Sequence, residues 1–249
     1  MNNTWKTTWD CVWFGSYPQS EITSEDGDIY HELKNVTGWD ENNDIVIGKA
    51  KYRRLKATEA TNYATRTGET HPSYYNWKTD YNTYHYFKYE PIKWRVLNRD
   101  NNNNVFLVAD ISLDDQPYNV DYTNVTWENS SIRSWLNGYG NSENQPKRDY
   151  SQKNFINSAF SSEQISAIES TRVINNNNIN YKTNGGNDTL DKVFLLQKQM
   201  SIIQMRHKNM DLTKKLKMLR KKEVTVVHML MRWGQPDITI HIIYDIRKM

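Results

Sequence analysis

An α+β fold with a mixed sheet and a short helical middle is what this sequence predicts, and three observations predict it. Strand-like segments come first, then helix-like ones, then strands again, an order unlike the alternation of a parallel βαβ repeat. Aromatic residues make up 12% of the chain and offset a hydrophobic content of only 37% and a mean hydropathy of −0.88, because each ring buries a large apolar area. The 249 residues are enough for a real core, so disorder throughout is excluded as a description.

The elements follow in order. DCVWFGSYPQ runs mixed aliphatic and aromatic residues into Gly15 and Pro18, which predicts a strand ending in a turn. Residues 20–50 read as loops around one strand at DIVIG. In PIKWRVLN, Ile92, Trp94 and Val96 alternate with Lys93 and Arg95; beyond a loop from Arg99 to Asn104 comes the continuous apolar run VFLVA. A half-buried strand followed by a fully buried one predicts a hairpin. WENSSIRSWLNG offers Asn129 or Ser130 as N-cap, Ile132, Trp135 and Leu136 at helical spacing, and Gly138 as the stop. NFINSAF places Phe155, Ile156, Ala159 and Phe160 on one helical face, and SSEQISAIES follows with Ser161 and Gln164 in capping-box spacing. Strands at 171–174 and 192–196 bracket the glycine turn TNGGNDTLD.

Taken in this order, FGSYPQ, PIKWRVL, VFLVADISLDDQPYN, VTWENSSIRSWLNG, FINSAFSSEQISAI and GGNDTLDKVFLL resemble an uncharacterised bacterial family, domain of unknown function 6273. The likeness covers most of residues 10–196. It implies a C-type-lectin-like architecture of the kind shared with formylglycine-generating enzymes, and an extracellular or cell-surface setting. The formylglycine-generating enzymes work through a pair of cysteines, whereas Cys11 is the only cysteine here, so their activity does not carry over. A lone Cys in an apolar strand reads as a small core hydrophobe, and intramolecular disulfides and Cys-based zinc sites are excluded.

The composition breaks after Leu196. Residues 1–196 hold 28 of the 29 Asn and all six Phe; residues 197–249 hold seven of the eight Met. The net charge of +3 hides a body at −5 and a tail at +8. The resemblance also stops there, because the Trp-rich WWLRSPG-like and GVRPAL-like closing strands are absent from residues 197–249. Read one nucleotide earlier, the codons of QKQMSIIQM permit Ser-Glu-Ala-Asp-Val-Asn-Asn-Thr-Asp, a continuation with the character of the body. The expectation is therefore an incomplete lectin-like domain over 1–196 and a basic tail over 197–249, out of frame and poorly ordered. A domain lacking its closing strands is expected to dissolve poorly, with an exposed edge at VFLL.

Functional residues are few. LTKKLKMLRKK would suit a basic amphipathic helix for nucleic acid or a membrane surface, but it lacks the aromatic residues of a single-strand binder, so no nucleic acid is expected. Asp114 and Asp115, and Asn187, Asp188 and Asp191, could supply oxygen ligands to Ca²⁺, yet neither set has EF-hand spacing; Asx-type turns explain both. His31, His71 and His85 have no partner at metal spacing. Trp94 and Trp135 read as core, which leaves Trp127, ahead of a helix start, as the ligand-binding candidate. No catalytic residue, metal or cofactor is assigned. The expected function is a non-catalytic ligand-binding or adhesion-type module, with carbohydrate or a surface protein as partner. The alternatives are an enzyme whose site lay in a missing C-terminal part, and nucleic-acid binding through the tail. With no signal peptide and no apolar run near the ~20 residues that span a bilayer, the chain as written is expected in the cytoplasm.

Overall fold

A computed structural model describes residues 10–56, 82–99, 104–114, 116–178, 182–195 and 242–246. It is α+β, and it divides into two compact units: Ser16–Pro91, and Met1–Gly15 with Ile92–Met249.

In the first unit, β1 (Cys11–Ile22) contributes its second half, followed by α1 (Asp28–Asn35), β2 (Asp44–Ile47), β3 (Ala50–Leu55) and the first half of β4 (His85–Arg99). β2 pairs antiparallel with β3, and β3 with β4 through Tyr52 opposite Lys88 and Leu55 opposite His85. The region of α1 falls within the span expected to be rich in loops, and DIYHELKN is largely polar. Its Ile29, Tyr30 and Leu33 nevertheless fall at helical spacing and pack with Ile22, Tyr52 and Tyr86 in this unit's core. Nor does β1 stop at the predicted turn. It continues through Pro18, which is tolerated because β1 pairs only with β4 among the described strands and so keeps an open edge.

The second unit opens with the predicted hairpin. β4 pairs antiparallel with β5 (Val105–Ala109), Trp94 opposite Ala109 and Arg99 opposite Val105, with a shift of register between Val96 and Asn98. That bulge explains the burial along β4: Ile92 and Trp94 are buried on one phase, and Leu97 on the other. VFLVA is not buried throughout. Leu107 and Ala109 are buried while Val105, Phe106 and Val108 are half-buried, so β5 alternates like its neighbour.

The helical middle follows the caps. Ser130 caps α2 (Ser131–Asn137) by accepting from the Arg133 N–H, and Gly138 closes it in the left-handed conformation. Asn154 caps α3 (Phe155–Ala159); Ser161 and Gln164 form the capping box of α4 (Ser162–Ala167). Phe155, Ile156, Ala159 and Phe160 are all buried, with Phe160 against Phe14. This contact requires Gly15, whose φ is +72° and where a Cβ would lie 2.6 Å from the Ala159 carbonyl oxygen.

β6 (Thr171–Val173) pairs antiparallel with β7 (Thr189–Asp191) in a separate two-stranded sheet, and β8 (Val193–Leu195) leaves it for the larger one. Between β5 and β8 lies β9 (Ile242–Ile246), antiparallel to both. No element is expected beyond Leu196, yet the β-branched and aromatic run IIYDI forms β9 and takes the edge expected to lie open at VFLL. The rest of the tail, residues 196–241 and 247–249, lies outside the described residues, as do His71 and Asp115. No helix among the described residues is long and apolar enough to cross a membrane.

Candidate functional site

The site grows from α2 and the strand that faces it. Asn137, at the end of α2, accepts from the Lys192 and Val193 N–H groups at 3.1 and 3.0 Å and donates to the Val193 carbonyl at 2.8 Å. One side chain thus ties the β7–β8 junction to the helix. The tie holds Asp191, the last residue of β7, against Arg133 in the first turn of α2.

Asp191 is fully buried and carries four donors. Its Oδ1 accepts from Arg133 Nε at 2.8 Å and Tyr139 Oη at 3.2 Å; its Oδ2 accepts from Trp127 Nε1 at 2.9 Å and Thr189 Oγ1 at 2.6 Å. These occupy the roughly four lone-pair sites of a carboxylate, so Asp191 has no acceptor left for a substrate proton. Arg133 Nη1 donates to the Glu128 carbonyl at 3.0 Å, and its guanidinium lies 4.9 Å from the Tyr139 ring centroid. Arg133 Nη2 has no hydrogen bond among the described residues. Burial, reinforced by the charge of Asp191, pushes the Tyr139 hydroxyl up to about 12.

Above this network opens a cleft of about 660 Å³. Arg133 and Thr189 form part of its lining, Glu128 and Glu143 line it from either end of the α2 region, and Arg172 and Asp188 from the small sheet. Asp188 accepts from the Asn175 N–H at 3.0 Å and from Arg172 Nη2 at 2.8 Å; the backbone donor first and the guanidinium second hold its carboxyl below the usual range. Asn187 Nδ2 donates to both Glu128 carboxylate oxygens, at 3.2 and 3.0 Å. The glycine turn is seated by Gly186, whose φ is +84° and where a Cβ would lie 2.7 Å from Thr126. Leu190, between the two inward residues of β7, is 64% exposed and belongs to the cleft lining.

Trp127, the ligand-binding candidate from sequence, is part of the Asp191 network. It is 4% exposed, with its indole N–H committed to Asp191 and Thr189, so the ring anchors the network and offers no open face. Asp188 accepts from Asn175 and Arg172, and Asp191 from Arg133, Tyr139, Trp127 and Thr189, so neither carboxylate makes the expected Asx-type turn; in this segment it is Asn184, not among the candidates, that accepts from the Gly186 N–H at 3.0 Å. Asp114 accepts from the Gln116 side chain at 3.1 Å. Trp94 is buried and donates to the Phe14 carbonyl; Trp135 is half-buried beside Phe155. His85 pairs with Glu21 at 2.6 Å, and no group of three His, Cys, Asp or Glu able to hold a metal occurs among the described residues.

The family model described as Domain of unknown function (DUF6273) matches residues 102–229, just over half the chain. The chain belongs to the DUF6273 family. The DUF6273 span takes in α2, β7, β8 and all the cleft residues named above, and it runs past Leu196 into the basic tail. The motifs FGSYPQ and PIKWRVL, and strand β9, lie outside it. No curated protein and no solved structure matches the chain. Arg133, Glu128, Glu143 and Arg172, which line the cleft, are not among the candidates from sequence. The only signal was a charged residue, Arg133, set beside Ile132 and within one turn of Leu136 in a short helix, where a charge needs a partner.

Proposed function

We propose that this chain is a non-catalytic ligand-binding module whose ligand is a neutral, hydroxyl-rich molecule of the carbohydrate class, taken into the cleft above Arg133. The observation that carries the reading is the state of Asp191. A carboxylate whose acceptor sites are all filled by four donors is a structural counter-ion, and Thr189 donates into it; neither group is available as a base or nucleophile. What faces the cleft instead is a set of donors and acceptors of both signs. Such a lining suits a ligand that offers hydroxyl groups to carboxylates and guanidinium groups alike. A C-type-lectin-like architecture and a surface or secreted setting belong to the same proposal.

The test is a glycan array and saturation-transfer NMR with unlabelled mono- and oligosaccharides, run on the full chain and on Glu128→Gln and Arg172→Gln. The expected result is a neutral-sugar signal that both substitutions weaken. Absence of any neutral-glycan binding, or binding that neither substitution changes, removes the proposal. Turnover of a candidate substrate that survives with unaltered rate in both variants would favour the enzyme alternative.

A further inference from the structure

A second cluster of charge and aromatic rings lies within the unit of Ser16–Pro91, and it shares no residue with the cleft. In β3 the alternation of a strand sends Lys51 and Arg53 to one face and Tyr52 and Arg54 to the other, with Lys56 continuing the second set. The two faces are treated differently. On the first, Asp44 is 4% exposed and accepts from Arg53 Nε and Nη2 at 2.7 and 2.9 Å; Lys51 Nζ lies 2.8 Å away and Tyr89 Oη donates at 2.9 Å. Burial alone would raise the Asp44 carboxyl, but the Arg53 and Lys51 contacts outweigh it and hold it low. Those cations already have their anion.

On the second face the cations lie on rings. The Arg54 guanidinium is 4.2 Å from the Tyr84 ring centroid and 4.8 Å from that of Trp39, and Lys56 Nζ is 4.3 Å from Tyr84. Neither Arg54 nor Lys56 has a carboxylate within ion-pair distance among the described residues. A ring face attracts and orients a cation without cancelling its charge. The guanidinium is fixed from the other side too: Asn43 Oδ1 accepts from Arg54 Nε at 3.2 Å, and the Asn43 carbonyl accepts from the Arg54 N–H at 2.9 Å. Asn43 is itself held in a left-handed turn at φ +59°, closed by its N–H donating to the Asp40 carbonyl at 2.9 Å. The Asp40 side chain accepts from the Asn42 and Asp44 N–H groups, both at 2.8 Å. Arg54 therefore keeps both terminal nitrogens, on a clamped plane, and shares the Tyr84 ring with a second cation, Lys56.

We propose that Arg54 and Lys56 form a binding site for a tetrahedral oxyanion of the phosphate or sulfate class. The planar fork of Arg54 matches two oxygens of such a group, and the Lys56 ammonium supplies a point charge to a third. The site needs no rearrangement, because the rings and Asn43 already hold the guanidinium.

The experiment follows the Arg Nε–H resonances of the full chain by NMR while inorganic phosphate, dextran sulfate or neutral dextran is added. Arg54 is assigned by its loss in Arg54→Gln. The expected result is a saturable shift of Arg54 with both anionic probes and none with neutral dextran. A shift with dextran sulfate alone supports the site and assigns the anion to a polymer. The pair Arg54→Gln and Lys56→Gln is expected to weaken binding about tenfold or more, since each charge-assisted contact is of that order. Lys56→Arg should keep the affinity, and Lys51→Gln, on the face already neutralised, should change it less than twofold. An Arg54 resonance unmoved by both anions overturns the proposal, as does equal weakening by Lys51→Gln and Lys56→Gln, which would indicate diffuse charge attraction, the basic tail included. Circular dichroism of each variant confirms that affinity is compared between folded chains.

Discussion

Asp191 and Arg133 stabilise each other only as a pair. Each is buried, and removing either leaves an uncompensated charge or a set of unsatisfied donors in the interior, which costs about 3–5 kcal/mol. Asp191→Asn and Arg133→Met are therefore each expected to lower the urea midpoint strongly. The double variant should lose clearly less than the sum of the two, and simple additivity in the cycle would deny the coupling. Tyr139 adds a dependence on alkaline pH. Its folded hydroxyl is raised from 10.0 to about 12 by burial and by the Asp191 charge. The unfolded chain keeps the ordinary value and releases its proton first, so the contribution of Tyr139 to stability is constant below about pH 10 and is lost as pH rises from there towards 12. Tyr89 and Tyr118, raised by burial, act in the same direction. Circular dichroism against pH should show the decline, and Tyr139→Phe should make it shallower.

Among the elements, the short helices were legible because their ends are written locally: Ser130, Ser161 with Gln164, and Gly138 do what their positions predict. α1 was not legible, since only three apolar residues in eight mark it and their burial depends on Ile22, Tyr52 and Tyr86 arriving from elsewhere. β9 is the element with the sharpest consequence. It supplies the hydrogen-bonding partner of both β5 and β8, and β8 is buried along its whole length. Ending the chain at residue 241 is expected to uncover two strand edges, read as oligomers by light scattering and a loss of monomer on size exclusion. An unchanged monomer with an unchanged melt would show that β5 and β8 do not depend on that strand.

For the molecule as a whole, the division into two units predicts unequal stability along the chain. Leu33 is 1% exposed in the core of the Ser16–Pro91 unit, and Leu33→Ala is expected to cost about 2–5 kcal/mol there. Hydrogen exchange should quicken first at amides within residues 16–91, with the β6–β7 and α2 amides following later or not at all. A uniform rise across the described residues would mean that the two cores unfold as one.

The residues alone determined the α+β class, the β4–β5 hairpin, three capped helices and membership of the DUF6273 family, because caps, alternation and turn glycines act within a few residues of chain. Only the tertiary structure decided the site. Trp127, Arg133, Tyr139, Thr189 and Asp191 are separated by up to 64 positions, and the meaning of each depends on which charge or hydroxyl the fold sets beside it. Burial decides the rest: an indole that sequence would offer to a ligand becomes a donor to a hidden carboxylate once the surrounding water is gone, since a buried charge must be paired before anything else.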